Sequence, residues 1–386
     1  MNNYLYKIAM TILCFTSMFF VARADSVASA ADWHTESNQA GALMGGTVAS
    51  GDVNGDGYDD VIVPAQFYIN GETNEGKVFL YYGSPTGISL TPGWSAEGNQ
   101  INMKLGAAVA FAGDVNGDGY GDVLVATAIG KIFLYYGSAS GLSASPVWTL
   151  NYGYSIACAG DVNKDGYDDV IIGDNNTANG TVYVFHGSPT GLSSTPNWTV
   201  NGEQVGSWFG HQVASAGDVN GDGYDDVITY ARYYNNTYTS AGKVYVYHGS
   251  ATGLSATPAW IKEGTADYDK LGWTVSSAGD INKDGYGDVA ITTKPGKVYV
   301  YNGSASGLSA SRSWSATMSS WPSTSFGDIN KDGYSDLVVA CCNYTGTAPK
   351  EGAVFIWYGA STGLGVDGTT ANAHWKAVGG QGGDPS

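Results

Sequence analysis

Basic residues are scarce in this sequence: 17 Lys and Arg stand against 35 Asp and Glu, a formal net charge of −18 over 386 residues. A chain so acidic repels a phosphate backbone and an anionic lipid surface, which excludes nucleic acid as a partner. Cysteine is scarcer still. Cys14 lies in the leader, and Cys158, Cys341 and Cys342 have neither zinc-like nor redox spacing, so no disulfide scaffold is available. They read as small buried hydrophobes, with a link from Cys158 to one of the vicinal pair left open. Eleven prolines and no Gly-X-Y period exclude collagen. With five histidines, no His-Glu-x-x-His and no phosphate-cradling loop, the chain carries no legible catalytic motif. It is expected not to be an enzyme. The one long apolar run, Ile8 to Ala22, follows Lys7 and ends at the small-x-small site Ala22-Arg23-Ala24. Residues 1–24 are therefore expected to be a secretory signal peptide, and no other segment could cross a membrane. The expected location is outside the cell: secreted, at the cell surface or in the periplasm.

What the sequence has in excess is glycine, 56 residues, and self-similarity. Gly-Asp-Val-Asn-Gly-Asp-Gly-Tyr-Asp-Asp at 51–60 recurs five times, its first aspartate falling at Asp52, Asp114, Asp161, Asp218, Asp280 and Asp328. Each copy is followed by an alternating segment such as Lys77-Val78-Phe79-Leu80-Tyr81-Tyr82, and then by a lone tryptophan: Trp94, Trp148, Trp198, Trp260, Trp314 or Trp375. Small-apolar alternation before the aspartates, a β-branched run after them, the alternating segment and the tryptophan segment make four strands per unit. Nothing has helical period. Four strands repeated about every 55 residues predict an all-β fold, a β-propeller of four-stranded blades over residues 31–376, with six blades, and a tail over 377–386. A seventh blade would need three more strands than the sequence supplies. Trp33 precedes the first unit, so either it or Trp375 could provide the outer strand of the last blade.

The aspartate loops carry the chemistry. Asp52, Asn54, Asp56 and Asp60 stand at positions 1, 3, 5 and 9, with the Tyr58 carbonyl at 7 and glycine at 6. A hard cation such as Ca²⁺ takes six to eight oxygens, and a tight loop delivers them from this spacing. The pattern returns at Asp114, Asn116, Asp118, Tyr120 and Asp122, and at Asp161, Asn163, Asp165, Tyr167 and Asp169. It returns again at Asp218, Asn220, Asp222, Tyr224 and Asp226, at Asp280, Asn282, Asp284, Tyr286 and Asp288, and at Asp328, Asn330, Asp332, Tyr334 and Asp336. A bare turn has no use for three carboxylates, which repel one another a few Å apart. About six Ca²⁺ ions are therefore expected, with the ninth residue offering both oxygens.

These loops, the Gly242-Lys243-Val244-Tyr245-Val246-Tyr247-His248-Gly249 type of strand and the tryptophan strand resemble FG-GAP repeats, the units of integrin α-type propellers. Phe209-Gly210 keeps the naming dipeptide, which becomes Leu-Gly at 105 and 271. The resemblance covers residues 31 to about 376. It implies an extracellular, calcium-stabilised module for adhesion or macromolecular recognition, without catalysis.

Strand reversal puts the aspartate loops on one face and the loops between strands 2 and 3 on the other. Tyr68, Tyr233, Tyr234, Tyr238 and Tyr344, with Trp208 and Trp321, are candidates for an aromatic surface on that second face, suited to a protein or a glycan ligand. Two alternatives stay beside the adhesion reading: a carbohydrate-binding lectin, and a calcium-dependent polysaccharide lyase or hydrolase assembled from distant blades. His186 and His248 share a repeat position with Tyr82, Tyr136, Asn302 and Tyr358 and are read as blade surface.

Overall fold

The computed structural model describes residues 33–318, 320–346 and 349–379; the expected signal peptide lies outside them. Blade 1 consists of β1 (Ala49–Gly51), β2 (Asp60–Ala65), β3 (Lys77–Tyr81) and β4 (Trp94–Glu97). Blade 2 is β5 (Ala108–Gly113), β6 (Asp122–Ala126), β7 (Ile132–Tyr135) and β8 (Trp148–Leu150), and blade 3 is β9 (Ser155–Gly160), β10 (Asp169–Asp174), β11 (Thr181–Phe185) and β12 (Trp198–Asn201). Blade 4 follows with β13 (Phe209–Gly217), β14 (Asp226–Ala231), β15 (Lys243–Tyr247) and β16 (Trp260–Glu263). Blade 5 is β17 (Val275–Gly279), β18 (Asp288–Thr292), β19 (Lys297–Tyr301) and β20 (Trp314–Thr317); blade 6 is β21 (Pro322–Gly327), β22 (Asp336–Cys341), β23 (Ala353–Trp357) and β24 (Trp375–Val378). Every sheet is antiparallel in sequence order, giving a six-bladed β-propeller, and there is no helix among the described residues.

Second strands are buried on both sides along their length, as Asp60–Ala65 shows, because each is covered by the blades before and after it. The cores lie between blades. Ile62, Leu80, Val109 and Val123 join blades 1 and 2, and Ala290, Val300, Leu337 and Phe355 join blades 5 and 6. Inner strands pack on one another in turn, β5 between β1 and β9, and β13 between β9 and β17. In blades 2 to 5 the first strand ends in a bulge whose last residue, Gly113, Gly160, Gly217 or Gly279, has φ of 77°, 74°, 70° or 66°. That left-handed geometry suits glycine, and it turns the chain out of the sheet and into the aspartate loop.

The two possible outer strands of the last blade are resolved. Trp375 begins β24, paired with β23, so blade 6 is completed from the C-terminal side, two residues past the boundary expected from sequence. Trp33 forms no strand. It docks instead on blade 1, its ring 5.1 Å from that of Tyr81 and its Nε1 donating to the Ser89 carbonyl at 2.9 Å. The outer-strand tryptophans seat on the following blade in the same manner: Trp94 donates to Ser143, Trp148 to Ser193, Trp198 to Ser255 and Trp260 to Ser309, at 3.1 to 3.2 Å.

Candidate metal loops and recognition face

Each aspartate loop joins the first strand of a blade to the second, so the six loops share one face. In the first loop Asp52 Oδ1 accepts the amides of Asn54, Gly55 and Asp56, and Oδ2 accepts that of Gly57 at 2.8 Å. Asn54 Oδ1 accepts the Asp56 amide at 3.0 Å, and Asp56 Oδ1 accepts that of Tyr58 at 2.9 Å. Asn54 Nδ2 donates to Asp56 Oδ2 at 3.1 Å. The bond from the third residue to the fifth recurs from Asn116 to Asp118, Asn163 to Asp165, Asn220 to Asp222, Asn282 to Asp284 and Asn330 to Asp332. First-position Asp114, Asp161, Asp218, Asp280 and Asp328 accept the amides of the fifth and sixth residues, while the amides of Tyr120, Tyr167, Tyr224, Tyr286 and Tyr334 donate to the fifth carboxylate.

The ninth residue is wholly buried in all six loops. Asp60 takes the Val53 amide on Oδ2 at 3.1 Å and the Gly83 amide on Oδ1 at 2.8 Å. Asp122, Asp169, Asp226, Asp288 and Asp336 do the same with the second residue of their own loop and the glycine after strand 3. The ninth carboxylate is thus a structural tie, holding two turns of its blade together, before any ion is considered. Each oxygen already has an amide partner and would meet a cation with its remaining lone pair. Burial raises these carboxyls: Asp60 to about 6, Asp122, Asp226 and Asp288 to about 7, and Asp169 to about 8. The two amide bonds pull the other way, and the neighbouring first and fifth aspartates push further up.

All side-chain donors in the set are oxygens, which matches a hard cation. Among the described residues no Lys or Arg forms an ion pair with them. The ion pairs among the described residues, Lys77 with Glu97 and Lys243 with Glu203 and Glu263, lie elsewhere. Lys164 and Lys283, at the fourth position of their loops, point to the next blade, with Nζ 5.5 and 5.6 Å from the ring centres of Tyr224 and Tyr334. The carboxylates are folded back onto their own amides, and among the described residues no three His, Cys, Asp or Glu side chains converge in the arrangement of a metal site. Metal would have to draw them together.

Two contributions were missed by reading the loops one at a time. The first residue's carbonyl accepts from the eighth residue of the next loop: Gly121 to Asp52, Asp168 to Asp114, Asp225 to Asp161, Gly287 to Asp218 and Ser335 to Asp280. Asp168 and Asp225 also return a carboxylate bond, Oδ2 accepting the Asp114 and Asp161 amides at 2.8 and 3.0 Å. The aspartate at position 8, visible in three of the six copies, was the available signal. His186 and His248 are not simple surface residues either: their Nδ1 atoms meet the third-position Asn163 and Asn220 at 3.1 and 3.2 Å. Cys158, Cys341 and Cys342 form no disulfide with one another, and burial pushes the Cys341 thiol up to about 12.

On the opposite face the aromatic candidates separate. Trp208, Tyr238 and Trp321 are 39, 41 and 44% exposed. Tyr68, Tyr234 and Tyr344 instead cover the blades, Tyr68 and Tyr344 packing edge-on against Phe79 and Phe355. Tyr233 lies against Trp208, with the Lys270 ammonium 4.4 Å from its ring centre. The sequence also gave no weight to Arg232 and His211, which join Trp208 in one cluster.

Two family profiles match the chain, together over about half of it: the FG-GAP repeat at residues 44–81 and 209–247, and the FG-GAP-like repeat at residues 114–172 and 280–339. The chain belongs to the FG-GAP repeat family. Integrin alpha-8 of Gallus gallus is 36% identical over 118 residues, 28% of this chain and 11% of that protein. Integrin alpha-5 of Xenopus laevis is 34% identical over 119 residues, and integrin alpha-3 of Cricetulus griseus 38% over 112. The matched FG-GAP region thus spans about a tenth of the length of these integrins. Among solved structures, the crystal structure of BBS1N in complex with ARL6DN, soaked with mercury, superposes with a TM-score of 0.46 at 14% identity, covering 80% of this chain and 76% of that one. No helix among the described residues of this FG-GAP chain is long and apolar enough to cross a membrane.

Proposed function

We propose that the protein is a secreted, calcium-braced recognition module: a propeller over residues 31–376, exported by the 1–24 signal peptide, that binds an extracellular macromolecule on the face opposite its aspartate loops and performs no catalysis. The reading rests chiefly on one observation. Six loops present three carboxylates each at positions 1, 5 and 9, and no Lys or Arg among the described residues pairs with any of them. In each loop the first, third, fifth and ninth side chains and the carbonyl of the seventh residue would hold the ion. Ca²⁺ bound there would supply positive charge and fixed coordination to carboxylates that otherwise repel one another. Similarity to integrin α chains supports the adhesion or recognition role. The test is elemental analysis of the purified chain with melting curves in calcium and in EDTA. About six bound ions per chain and a melting point lowered by ten degrees or more on chelation are expected. A metal-free preparation with the same melting curve in both buffers overturns the reading.

A further inference from the structure

Six residues after the buried aspartate that opens each second strand, the units carry Gln66, Ala128, Asn175, Arg232, Lys294 and Cys342. Cations occupy this repeat position only in the adjacent blades 4 and 5, on the face away from the aspartate loops. Both meet Trp273: the Arg232 guanidinium carbon is 4.6 Å from its ring centre and the Lys294 ammonium 5.7 Å. Lys294 also stands 5.4 Å from the ring of Trp321, which lies 5.7 Å from that of Trp273. Arg232 is 5.6 Å from Trp208 on the other side. Two cations and three indoles drawn from blades 4, 5 and 6 therefore form one patch.

Arg232 is 8% exposed, yet no carboxylate pairs with it among the described residues. Its Nη2 donates to the Tyr230 hydroxyl and, at 2.7 Å, to His211 Nδ1, both neutral groups. Its Nε is buried without a partner. Ring faces offset part of the cost of dehydrating a guanidinium, but they leave its charge uncompensated. His211 is stacked on Trp208 at 5.0 Å and 10° and holds the guanidinium in place. Trp208 itself has φ of 60°, a strained setting for a bulky residue and one that recurs at binding sites. In a chain with twice as many acids as bases, a buried arginine without an acid is missing a partner.

We propose that this patch binds a carboxylated sugar, a uronic acid unit of a glycan, with Arg232 and Lys294 taking carboxylate and the partly exposed indoles of Trp208 and Trp321 taking the pyranose ring. An acidic peptide would answer the charges but leave the indole faces uncovered; a sugar ring covers them. The proposal rests on the recognition reading above and names its ligand class.

The test is isothermal titration of the calcium-loaded chain with oligomers of galacturonate, glucuronate-containing hyaluronan and mannuronate, beside a carboxyl-reduced oligomer and a polyglutamate peptide. At least one uronate oligomer is expected to bind, and its carboxyl-reduced form to bind at least tenfold more weakly. Lys294→Gln and Trp321→Ala, both at partly exposed positions, should each weaken binding about tenfold while leaving the melting curve in place. Arg232→Gln should abolish it. Failure of every uronate to bind overturns the proposal. So does binding to a neutral oligomer or to polyglutamate that ignores Lys294→Gln and Trp321→Ala, an outcome that would leave the recognition reading standing.

Discussion

The ring of Trp198, at the outer edge of blade 3, meets Tyr247 of blade 4 edge-on, with centroids 4.9 Å apart and planes at 70°. Its indole N–H also closes on the Ser255 carbonyl at 3.1 Å. Trp198→Ala removes the edge contact, buried area and bond together and should lower unfolding free energy by roughly 3 kcal/mol. Trp198→Phe keeps the edge contact and should cost about 1 to 2 kcal/mol, mostly from the lost bond. Urea denaturation measures both, and equal losses would assign the latch to the bond alone.

For calcium, the informative residue is the fifth of a loop, because the ninth already ties two turns together by its amide bonds. Asp222 is exposed, and its carboxylate accepts the Tyr224 amide and the Asn220 side chain. Asp222→Ala should reduce the bound metal by one ion per chain. It should cost about 2 kcal/mol more in calcium than in chelator, the linkage energy of a well-occupied site. An unchanged metal count removes the fourth loop from the set of sites.

Glycine serves two separate needs, and two substitutions separate them. At Gly173, in β10, an added Cβ would run into the Gly210 carbonyl of the next blade, a backbone atom that cannot swing aside. Gly173→Ala should cost about 2 to 3 kcal/mol by overpacking. Gly166 has open space but φ of 91°, so Gly166→Ala should cost about 1 to 2 kcal/mol from backbone strain alone. Thermal unfolding of the pair, at equal calcium, gives the ranking.

His211 should make stability fall in acid. Burial, with the Arg232 charge beside it, lowers its pKa to about 4. The groups recorded against its ring are Trp208, Tyr230 and Arg232, none of them acidic. A folded pKa below the unfolded value near 6.5 means that the stabilisation is complete above pH 6.5 and is lost as pH falls through about 4, a change of up to about 3 kcal/mol. His211→Gln, whose amide oxygen can still accept from Arg232, should lack that component. Denaturation of both chains at pH 7 and pH 4.5 reads it as a difference of differences, and parallel losses would contradict it.

The blades were legible because each rests on local signals: alternation in Lys77–Tyr81, a β-branched run after Asp60, a glycine where the chain must turn. The loop residues were legible for the same reason, as all five positions fall within nine residues. What sequence could not supply is anything composed across blades. Trp33 has the residue type of an outer strand without its pairing, and only the seat on Tyr81 shows what it does. Asp168 and Asp225 reach back to loops 54 and 64 residues earlier. Arg232, Trp273 and Trp321 are 41 and 48 residues apart in sequence. Their meeting depends on three consecutive blades presenting the same edge, which no local window contains.

Trp33 fills on blade 1 the notch that every other blade offers to its predecessor. A duplicated unit spliced in at any seam would bring both its own plug and its own notch, so the number of blades could change by whole units over descent without a new interface having to arise. The cost of such an insertion would fall on the curvature of the ring, and the patch spanning blades 4 to 6 could travel intact between rings of different size.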